Sequence, residues 1–484
     1  MEERRYQEDA IEASLSILNS KVPCKELVVL PTGAGKSFVQ AGIAERLDFP
    51  LVILCPSKEL LQQNSQKLSL LGVEHSINSA SLGERNISRI TLATIGSIRK
   101  QAKEFKKLGV KGVIYDECHL GIKEGSMVRK FIKEANIPNV VGLTATPVML
   151  VNKFGGSELQ MLNRVRYRFF KGIRYIQQIK DIISLGYWSD LQYKVVDSDE
   201  SFLINNSTGS DYTKESLKVF YVKNDIHNKI LEEYKNLKKE GRKSTIIYVS
   251  SIEEAERLYK DIPNSAIVHS KLDADTRDFM VSSFKALEIP VIINVGVLVF
   301  GFDHPKLDSM ILGRATKSVI IYYQSVGRGV RKHKSKIDCK IVDLAGNFGR
   351  FGRVEELEYE EIEGYGWGLF GKDGVLLSGY PIGAKKRPTK ESVKVVWDNS
   401  NDPVFYFGRF KHMKVSEVLR KPDGKSYLSW IADQEDFKWF GKHAENLRRV
   451  VFEALQLPIK EGHEILKNKD DWFKHLKEDN EKIF

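Results

Sequence analysis

The residues with the clearest chemical potential form a glycine-rich stretch near the N-terminus. An apolar run ends at Leu30 and is followed by PTGAGKS, residues 31–37, and then by a helical segment that begins near Phe38. Gly33 and Gly35 allow backbone N–H groups to turn inward, and the start of a helix adds a favourable dipole. This pattern predicts a loop that cradles phosphate groups.

Two side chains of this loop match the needs of a nucleoside triphosphate. Lys36 can reach the β- and γ-phosphates, and Ser37 can ligate Mg²⁺. Leu30 stands where the general pattern G-x-x-x-x-G-K-[ST] has its first glycine, and the alternative is an ordinary strand–loop–helix turn. The nucleotide-binding residues predicted here are Thr32, Gly33, Ala34, Gly35, Lys36 and Ser37.

A second chemical feature lies in VIYDECHL, where Asp116 and Glu117 follow an apolar strand. Ligands bind at the carboxyl ends of strands in open α/β sheets. Asp116 is predicted to hold Mg²⁺ through water, and Glu117 to orient and deprotonate an attacking water. Two acids at a strand end are often only a solvated loop, but a phosphate loop earlier in the chain favours hydrolysis of a nucleoside triphosphate with Mg²⁺.

Two series of short apolar runs must position these residues. Near-continuous apolar strands that alternate with helices indicate parallel sheets covered on both faces. The sequence therefore predicts an α/β protein with two tandem parallel-sheet domains and a small α+β C-terminal region. The predicted strands are Leu27–Leu30, Leu51–Cys55, Ile90–Ile95, Gly112–Asp116 and Val140–Thr144, then Thr245–Val249, Ala266–His269, Val291–Val295, Ser309–Leu312 and Lys340–Asp343.

The domain boundaries follow from changes in this alternation. The first sheet domain is predicted at residues 1–190 and the second at 218–350. Between them, residues 191–217 contain a polar, weakly patterned stretch that we interpret as a linker or insertion. Residues 351–484 are predicted to form an accessory region.

Composition narrows the class of protein. The chain has 484 residues, 42% of them hydrophobic, and a net charge of +11, which suits a polyanionic partner. Four scattered cysteines without a C-x-x-C pair argue against a zinc module or a disulfide framework and fit a reducing compartment. The longest apolar run, Ile289–Phe302, is too short to span a membrane. We expect a cytoplasmic protein with no membrane contact.

Taken in order, the motifs resemble those of superfamily 2 DExH-type DNA helicases. DECH, residues 116–119, is similar to motif II, LTATP at 143–147 to motif III, and QSVGRGVR at 324–331 to motif VI. RRYQ at 4–7 resembles the adenine-reading Q motif. The segment 293–308 resembles motif V, and the run from it through motif VI is nearest to RadD-like proteins and to phage branch-migrating helicases of the UvsW type. The resemblance covers Arg4–Asn347.

This resemblance implies two RecA-like motor domains with one ATP site between them. Gln324, Arg328 and Arg331 are expected to act on the γ-phosphate from the second domain, the arginines as fingers. A solvated helix face is the alternative for the two arginines. Arg4 and Gln7 are expected to read adenine, Gly301 and Asp303 to contact the nucleotide, and His119, Thr144 and Thr146 to couple hydrolysis to movement.

The resemblance also implies a track for one nucleic-acid strand across both domains. Contacts to the phosphate backbone need only hydroxyl and N–H groups, so sequence readout is not expected. A serine at a strand end is otherwise commonly a helix cap. The predicted contacts are Pro56, Ser57, Thr94, Gly96, Ser97, Ser250, His269 and Lys271.

Three segments outside these motifs remain open to two interpretations. Residues 163–180 interleave basic and aromatic residues, which suits nucleic-acid stacking or an amphipathic end of the first domain. Residues 364–381 are predicted to form a hairpin that turns at Gly371–Gly374, either a strand-separating wedge or a structural hairpin. The C-terminal segment resembles a small module of some DNA-repair exonucleases and phage proteins, with Arg409 and Lys411 as DNA contacts.

The sequence thus predicts an ATP-dependent DNA helicase that acts on branched or forked DNA in recombination, repair or replication. A bacteriophage origin suits its compact size, so the host cytoplasm is one expected location, and we expect a monomer. An RNA helicase and a duplex translocase that does not separate strands are the alternatives. A nucleotide-gated binding protein is disfavoured because Lys36, Glu117 and both arginines are present.

Overall fold

The structure is a computed structural model. It describes residues 4–153, 156–165, 167–208, 210–298, 302–362 and 366–378, and, nearer the C-terminus, 405, 413–421, 424–433, 439–440, 444–456 and 465–466. The chain divides into two compact units, Met1–Val393 and Lys394–Phe484.

The strands belong to two large parallel sheets and several short antiparallel or two-stranded pairings. In chain order they are β1 (Lys25–Val29), β2 (Leu51–Leu54), β3 (Ser76–Ser79), β4 (Glu84–Arg85), β5 (Ile90–Ala93), β6 (Gly112–Asp116), β7 (Asn139–Thr144), β8 (Val148–Lys153), β9 (Gly156–Met161), β10 (Gly172–Ile176), β11 (Asp190–Val195), β12 (Thr245–Tyr248), β13 (Ser265–His269), β14 (Val291–Val295), β15 (Ser309–Leu312), β16 (Asp338–Asp343), β17 (Glu358–Ile362), β18 (Gly366–Phe370), β19 (Trp439–Phe440) and β20 (Ile465–Leu466).

Helices connect the strands and cover both large sheets. They are α1 (Arg5–Leu18), α2 (Lys36–Arg46), α3 (Lys58–Leu70), α4 (Ile95–Ile98), α5 (Ala102–Leu108), α6 (Met127–Glu134), α7 (Ile179–Ser184), α8 (Lys214–Lys223), α9 (Ile226–Lys239), α10 (Ile252–Asp261), α11 (Ala274–Ala286), α12 (Val319–Val326), α13 (Asn347–Phe351), α14 (Val415–Leu419), α15 (Gly424–Asp433) and α16 (Ala444–Leu455). Among the described residues, no helix is both long and apolar enough to cross a lipid bilayer.

The first sheet has the strand order β10-β1-β7-β6-β2-β5-β3-β4, and only β4 runs antiparallel to its neighbour. Every residue of β2, β6 and β7 is buried, as expected for strands covered on both faces. The second sheet is entirely parallel, in the order β11-β16-β15-β12-β14-β13. This architecture confirms the predicted fold class, and the predicted strands agree with the observed ones to within two residues at each end.

The segment predicted as a linker, 191–217, instead belongs largely to the second sheet domain. It begins within β11, an edge strand that pairs with β16. Further along, Phe202 and Leu203 pack against the second core, and Asp211 accepts hydrogen bonds from Arg314 and Thr316. The segment is polar because it lies at the sheet edge, which explains why its composition resembled a linker.

Residues 163–180 contain β10, which pairs with the outer side of β1. Phe170 is fully buried, Phe169 and Tyr175 pack against the first core, and Tyr167 is about half exposed. The structure therefore supports inward packing of most of the aromatic side chains rather than their use in base stacking. Arg166 lies outside the described residues.

The region that follows the second sheet contacts the first sheet domain. Strands β17 and β18 pair antiparallel, and a turn over Lys372–Gly374 brings Leu376 beside Phe370. This turn lies where the sequence predicts one, at Gly371–Gly374. Tyr359 exchanges backbone hydrogen bonds with the Gln178 side chain, 2.5 and 3.1 Å long. This hairpin therefore packs as part of the first unit.

The C-terminal unit has a small apolar core of its own. Its members come from α14, α15 and α16 and from Phe405, and they include Val418, Leu428, Leu447 and Phe452. The predicted DNA contacts Arg409 and Lys411 lie outside the described residues.

Candidate active site between the two sheets

The phosphate loop leaves the carboxyl end of β1 and runs directly into α2. Gly33 and Gly35 have φ values of 79° and 85°, a region that side chains with a Cβ rarely adopt. A Cβ at Gly35 would also lie 2.4 Å from Gln7 Nε2. The two glycines therefore adopt the left-handed backbone that glycine favours, and the loop ends at the start of an 11-residue helix, whose N-terminus favours anions.

Glu117, the predicted general base, lies beside two nitrogen-bearing side chains. Its carboxylate lies 3.2 Å from Lys36 Nζ and 3.5 Å from His119 Nδ1. Burial would raise the pKa of Glu117, but Lys36, His119 and Arg328 together hold that pKa below its ordinary value. Its φ of 44° lies in the left-handed region, a strained backbone that clusters at functional sites. Glu117 is therefore a fixed, ionised carboxylate.

Ser37 and Asp116, the predicted magnesium ligands, are connected through Asn64. Ser37 Oγ donates to Asn64 Oδ1 at 2.6 Å, and Asn64 Nδ2 donates to Asp116 Oδ2 at 3.1 Å. Burial is the main factor that raises the pKa of Asp116, and a bound cation would counter that effect.

The donor set fits Mg²⁺ held together with substrate phosphates. No group of three or more His, Cys, Asp or Glu side chains able to hold a metal occurs in the described part of the chain. Mg²⁺ in nucleotide sites commonly takes only one or two protein ligands, with waters and phosphates completing the octahedron. Ser37 and Asp116 would hold it here.

The predicted coupling residues form one buried cluster. His119 Nδ1 lies 2.9 Å from Thr144 Oγ1 and 3.3 Å from Thr146 Oγ1, and Thr146 N donates to Thr144 Oγ1. Burial lowers the pKa of His119. Tyr359 of the β17–β18 hairpin donates to the Ala145 carbonyl at 3.2 Å. Contacts therefore run from Glu117 through His119 to the loop at Ala145, which the β17–β18 hairpin also contacts.

The predicted adenine readers lie at the other end of the phosphate loop. Gln7 Nε2 and Tyr6 Oη both donate to the Ala34 carbonyl, at 2.9 and 3.0 Å. The Arg4 guanidinium stacks 3.8 Å from the centre of the Tyr187 ring. Arg4, Gln7 and the loop thus form one surface, to which Tyr187 adds an aromatic ring.

The predicted γ-phosphate residues lie on and just after α12. Arg328 is buried and donates to the Phe302 carbonyl at 2.7 Å and to Gln324 Oε1 at 2.9 Å. Burial lowers the pKa of Arg328 to about 10, which leaves it charged at neutral pH. Arg331 pairs with Asp303 at 3.0 Å. The solvated-face alternative therefore does not hold for Arg328.

The phosphate loop and this arginine segment are in direct contact. A Cβ on Gly33 would lie 3.2 Å from Val330 Cγ2 and 3.8 Å from Arg331 Cγ, and one on Gly327 would lie 3.0 Å from Thr32. Among the described residues, Gln324 Nε2 is buried without a hydrogen-bond partner. The structure thus brings the residues predicted from each sheet into one site, in which the side-chain amide of Gln324 can still donate a hydrogen bond. Gly301 lies outside the described residues.

The predicted nucleic-acid contacts lie at or just beyond the carboxyl ends of β2, β5, β12 and β13. Some of the hydroxyls have local roles. Ser57 caps α3 by accepting from Leu60 N, and Ser97 Oγ accepts from Ala80 N at 2.8 Å. Pro56, Gly96 and Lys271 are exposed. Because the strands of each sheet are parallel, the predicted contacts Pro56, Ser57, Thr94, Gly96, Ser97, Ser250, His269 and Lys271 lie at one edge of their own sheet.

Beside this edge, α3 of the first sheet domain contacts the second sheet domain through three polar pairs, two of them ionic. The pairs are Lys58–Asp278 at 3.2 Å, Glu59–Arg277 at 3.0 Å and Gln63–Asp303 at 3.2 Å.

Several residues of this site were not predicted from the sequence. Asn64, Tyr187, Trp188 and Tyr323 lie outside the residue sets that the motifs identify. A buried asparagine in the otherwise apolar face of α3 is the one signal that could have indicated Asn64.

Two family models match the chain in the same order as the two sheets. The model described as Type III restriction enzyme, res subunit, matches residues 1–149, and the model described as Helicase conserved C-terminal domain matches residues 225–333.

The chain belongs to the superfamily 2 helicase family.

The sequence identity between the chain and its relatives is low. The chain is 26% identical to IRC3 of Saccharomyces cerevisiae in an alignment 368 residues long, which covers 71% of the chain and 51% of IRC3. It is 24% identical over 394 residues to the ATP-dependent DNA helicase uvsW of Enterobacteria phage T4, covering 71% of the chain and 68% of uvsW. The chain thus spans about half the length of the yeast relative.

A solved structure supports the fold. An HsdR fragment of a type I restriction enzyme from Vibrio vulnificus YJ016 has a TM-score of 0.53 and 21% identity to this helicase, over 72% of the chain and 65% of the fragment.

Proposed function

We propose that this helicase is ATP-dependent and acts on DNA, remodelling or unwinding forks and junctions in recombination, repair or replication. The observation that carries the proposal is the contact between the phosphate loop of the first sheet and the arginine segment of the second. A nucleotide bound there touches both domains, so its hydrolysis can change how they meet. The likeness to the ATP-dependent DNA helicase uvsW of phage T4 supports DNA as the substrate.

In the proposed reaction, the residues of the first sheet domain activate water. Glu117 accepts the proton as the water oxygen attacks the γ-phosphorus, and the bond to the ADP oxygen breaks. Lys36, now paired with Glu117, would turn to the phosphates. Mg²⁺ held by Ser37 and Asp116 would neutralise charge on the phosphate oxygens.

The residues of the second sheet domain would stabilise the transferred phosphoryl group. Arg331 would exchange Asp303 for phosphate oxygens, and Gln324 would offer its buried Nε2 to the same group or to water. Loss of the γ-phosphate would release these contacts. The cluster of His119, Thr144 and Thr146 would carry that change to the nucleic-acid edge.

A duplex translocase is the second candidate. It is favoured by the match of residues 1–149 to the res-subunit model. Such a motor would use the same ATP site but track along duplex DNA without releasing a strand. An RNA helicase remains the third possibility, which the nucleic-acid dependence of the ATPase distinguishes.

The nucleic-acid dependence of ATP hydrolysis tests these alternatives. We expect forked DNA and four-way junctions to stimulate the steady-state ATPase most strongly, with single-stranded DNA next. Stimulation by blunt duplex alone would indicate the translocase, and stimulation by RNA alone would contradict a DNA substrate. All activators should be compared at one ionic strength, because contacts to phosphate depend steeply on salt.

We also propose that the C-terminal unit, Lys394–Phe484, is an accessory nucleic-acid-binding unit. Truncation after Val393 should preserve the ATPase stimulated by saturating single-stranded DNA, because both sheets remain. Junction unwinding at limiting DNA should fall, and binding should lose part of its salt dependence as basic contacts disappear. An equal loss of ATPase on every activator would instead assign this unit a structural role.

The proposed location is the cytoplasm, or the host cytoplasm for a phage protein. All four cysteines are free thiols, which supports a reducing compartment. We propose a monomer, which light scattering with and without forked DNA would test.

A further inference from the structure

Trp188 lies in the segment of the chain that connects the first sheet domain to the second. It lies between the end of α7 and the start of β11, and it is 4% exposed. Its indole Nε1–H donates to the Thr32 carbonyl of the phosphate loop at 3.1 Å. A residue of the connection between the domains therefore holds the loop directly.

Thr32 receives a second contact from the other domain. Its N–H donates to Tyr323 Oη of α12 at 3.0 Å. Thr32 is only 3% exposed, so water cannot readily replace either partner, and an unpaired buried peptide group is unfavourable. The N–H and the carbonyl of Thr32 are thus each hydrogen-bonded to a residue outside the first sheet.

The backbone around Trp188 also fixes the finger segment. Trp188 forms an antiparallel β-bridge with Arg331, and Ser189 N donates to the Val330 carbonyl at 2.7 Å. The indole lies close to the loop as well, since a Cβ on Gly33 would be 3.7 Å from Nε1. One residue therefore binds the phosphate loop through its side chain and the arginine segment through its main chain.

From this geometry we infer that Trp188 is a positioning residue that sets Arg331 against the phosphate loop, and that its indole N–H is the group responsible. The inference rests on the proposed ATPase function. Phosphoryl transfer depends on placing the reacting groups, and a misplacement of about 1 Å can reduce the rate on the order of a hundredfold. Among the described residues, the polar contacts of Arg331 are with Phe302 and Asp303 and not with the loop. Trp188 therefore connects Arg331 to the loop, beside the contacts that Val330 and Tyr323 make with it.

The test is a double-mutant cycle of Trp188→Phe and Arg331→Ala, measured as DNA-stimulated ATPase of the full chain. Trp188→Phe keeps an aromatic ring but removes the N–H donor. We expect kcat to fall by about tenfold to a hundredfold while KM for ATP changes little, because the lost effect is on the transition state. In the Arg331→Ala background the same substitution should change kcat by less than about twofold, since the residue it positions is gone.

A spectroscopic readout separates positioning from stability. Adding the Mg²⁺ complex of the non-hydrolysable analogue AMP-PNP should change the tryptophan fluorescence of the wild-type chain, and Trp188→Phe should remove most of that change. Equal losses of kcat in both backgrounds, or an unchanged fluorescence response in Trp188→Phe, would overturn the inference. A wild-type chain without nucleic-acid-stimulated ATPase would instead contradict the proposed function itself.

Discussion

Replacing Glu117 with glutamine is expected to abolish ATP turnover while leaving ATP binding intact. Glutamine keeps the size of the side chain but cannot accept the proton from the attacking water. General bases contribute on the order of a hundredfold to ten-thousandfold, and this carboxylate is held ionised by Lys36 and His119. Single-turnover hydrolysis measured beside equilibrium binding of labelled ATP would show the two effects separately.

The matched control for Glu117→Gln is Glu124→Gln. Glu124 is an exposed acid on the loop that follows the same strand, so its substitution removes one negative charge without touching the site. It should retain the wild-type rate. If Glu117→Gln also hydrolyses ATP within a few-fold of wild type, Glu117 is not the base.

Arg331→Ala should have the second-largest effect, reducing kcat by about a thousandfold if the residue acts as an arginine finger. Arg331 is a cleaner choice than Arg328, because Arg328 is buried among three hydrogen-bond acceptors and its loss would endanger folding. ATP affinity should change much less than kcat, since the charge acts on the transition state.

Lys332→Ala provides the control for Arg331→Ala. It removes one positive charge from the adjacent, exposed position and should leave DNA-stimulated turnover near the wild-type rate. Thermal unfolding of both variants would confirm that the fold is preserved. Turnover in Arg331→Ala close to wild type would show that this arginine does not take part in phosphoryl transfer.

The strands at the centre of each sheet could be predicted because buried strands are mainly apolar. β2 is apolar along its whole length and β6 is apolar up to Tyr115 and Asp116 at its carboxyl end, since helices cover both faces. Edge strands have a mixed composition that does not distinguish them from other segments. β10 and β11 each have a side partly open to solvent. The mixed composition of β10 therefore leaves base stacking and an amphipathic end of the first domain both open, and that of β11 resembles a linker.

The candidate site could be predicted where short motifs fix both residue type and spacing. Lys36 and Glu117 belong to separate motifs, and their 3.2 Å contact follows from the parallel order of β1, β7 and β6. Trp188 and Tyr323 could not be found this way, because their roles depend on how the second domain meets the phosphate loop. Such contacts arise from tertiary packing between distant parts of the chain.

The measurement that tests the central claim most directly is strand release from a fluorescently labelled fork, followed in real time. The account predicts ATP-dependent release from forked DNA by the wild-type chain, little release from a matched RNA duplex, and none with Glu117→Gln. ATP hydrolysis that DNA stimulates without release of a strand from any fork or junction would contradict the proposed strand separation. It would favour a translocase instead. Release from the RNA duplex but not from the DNA fork would contradict the choice of DNA.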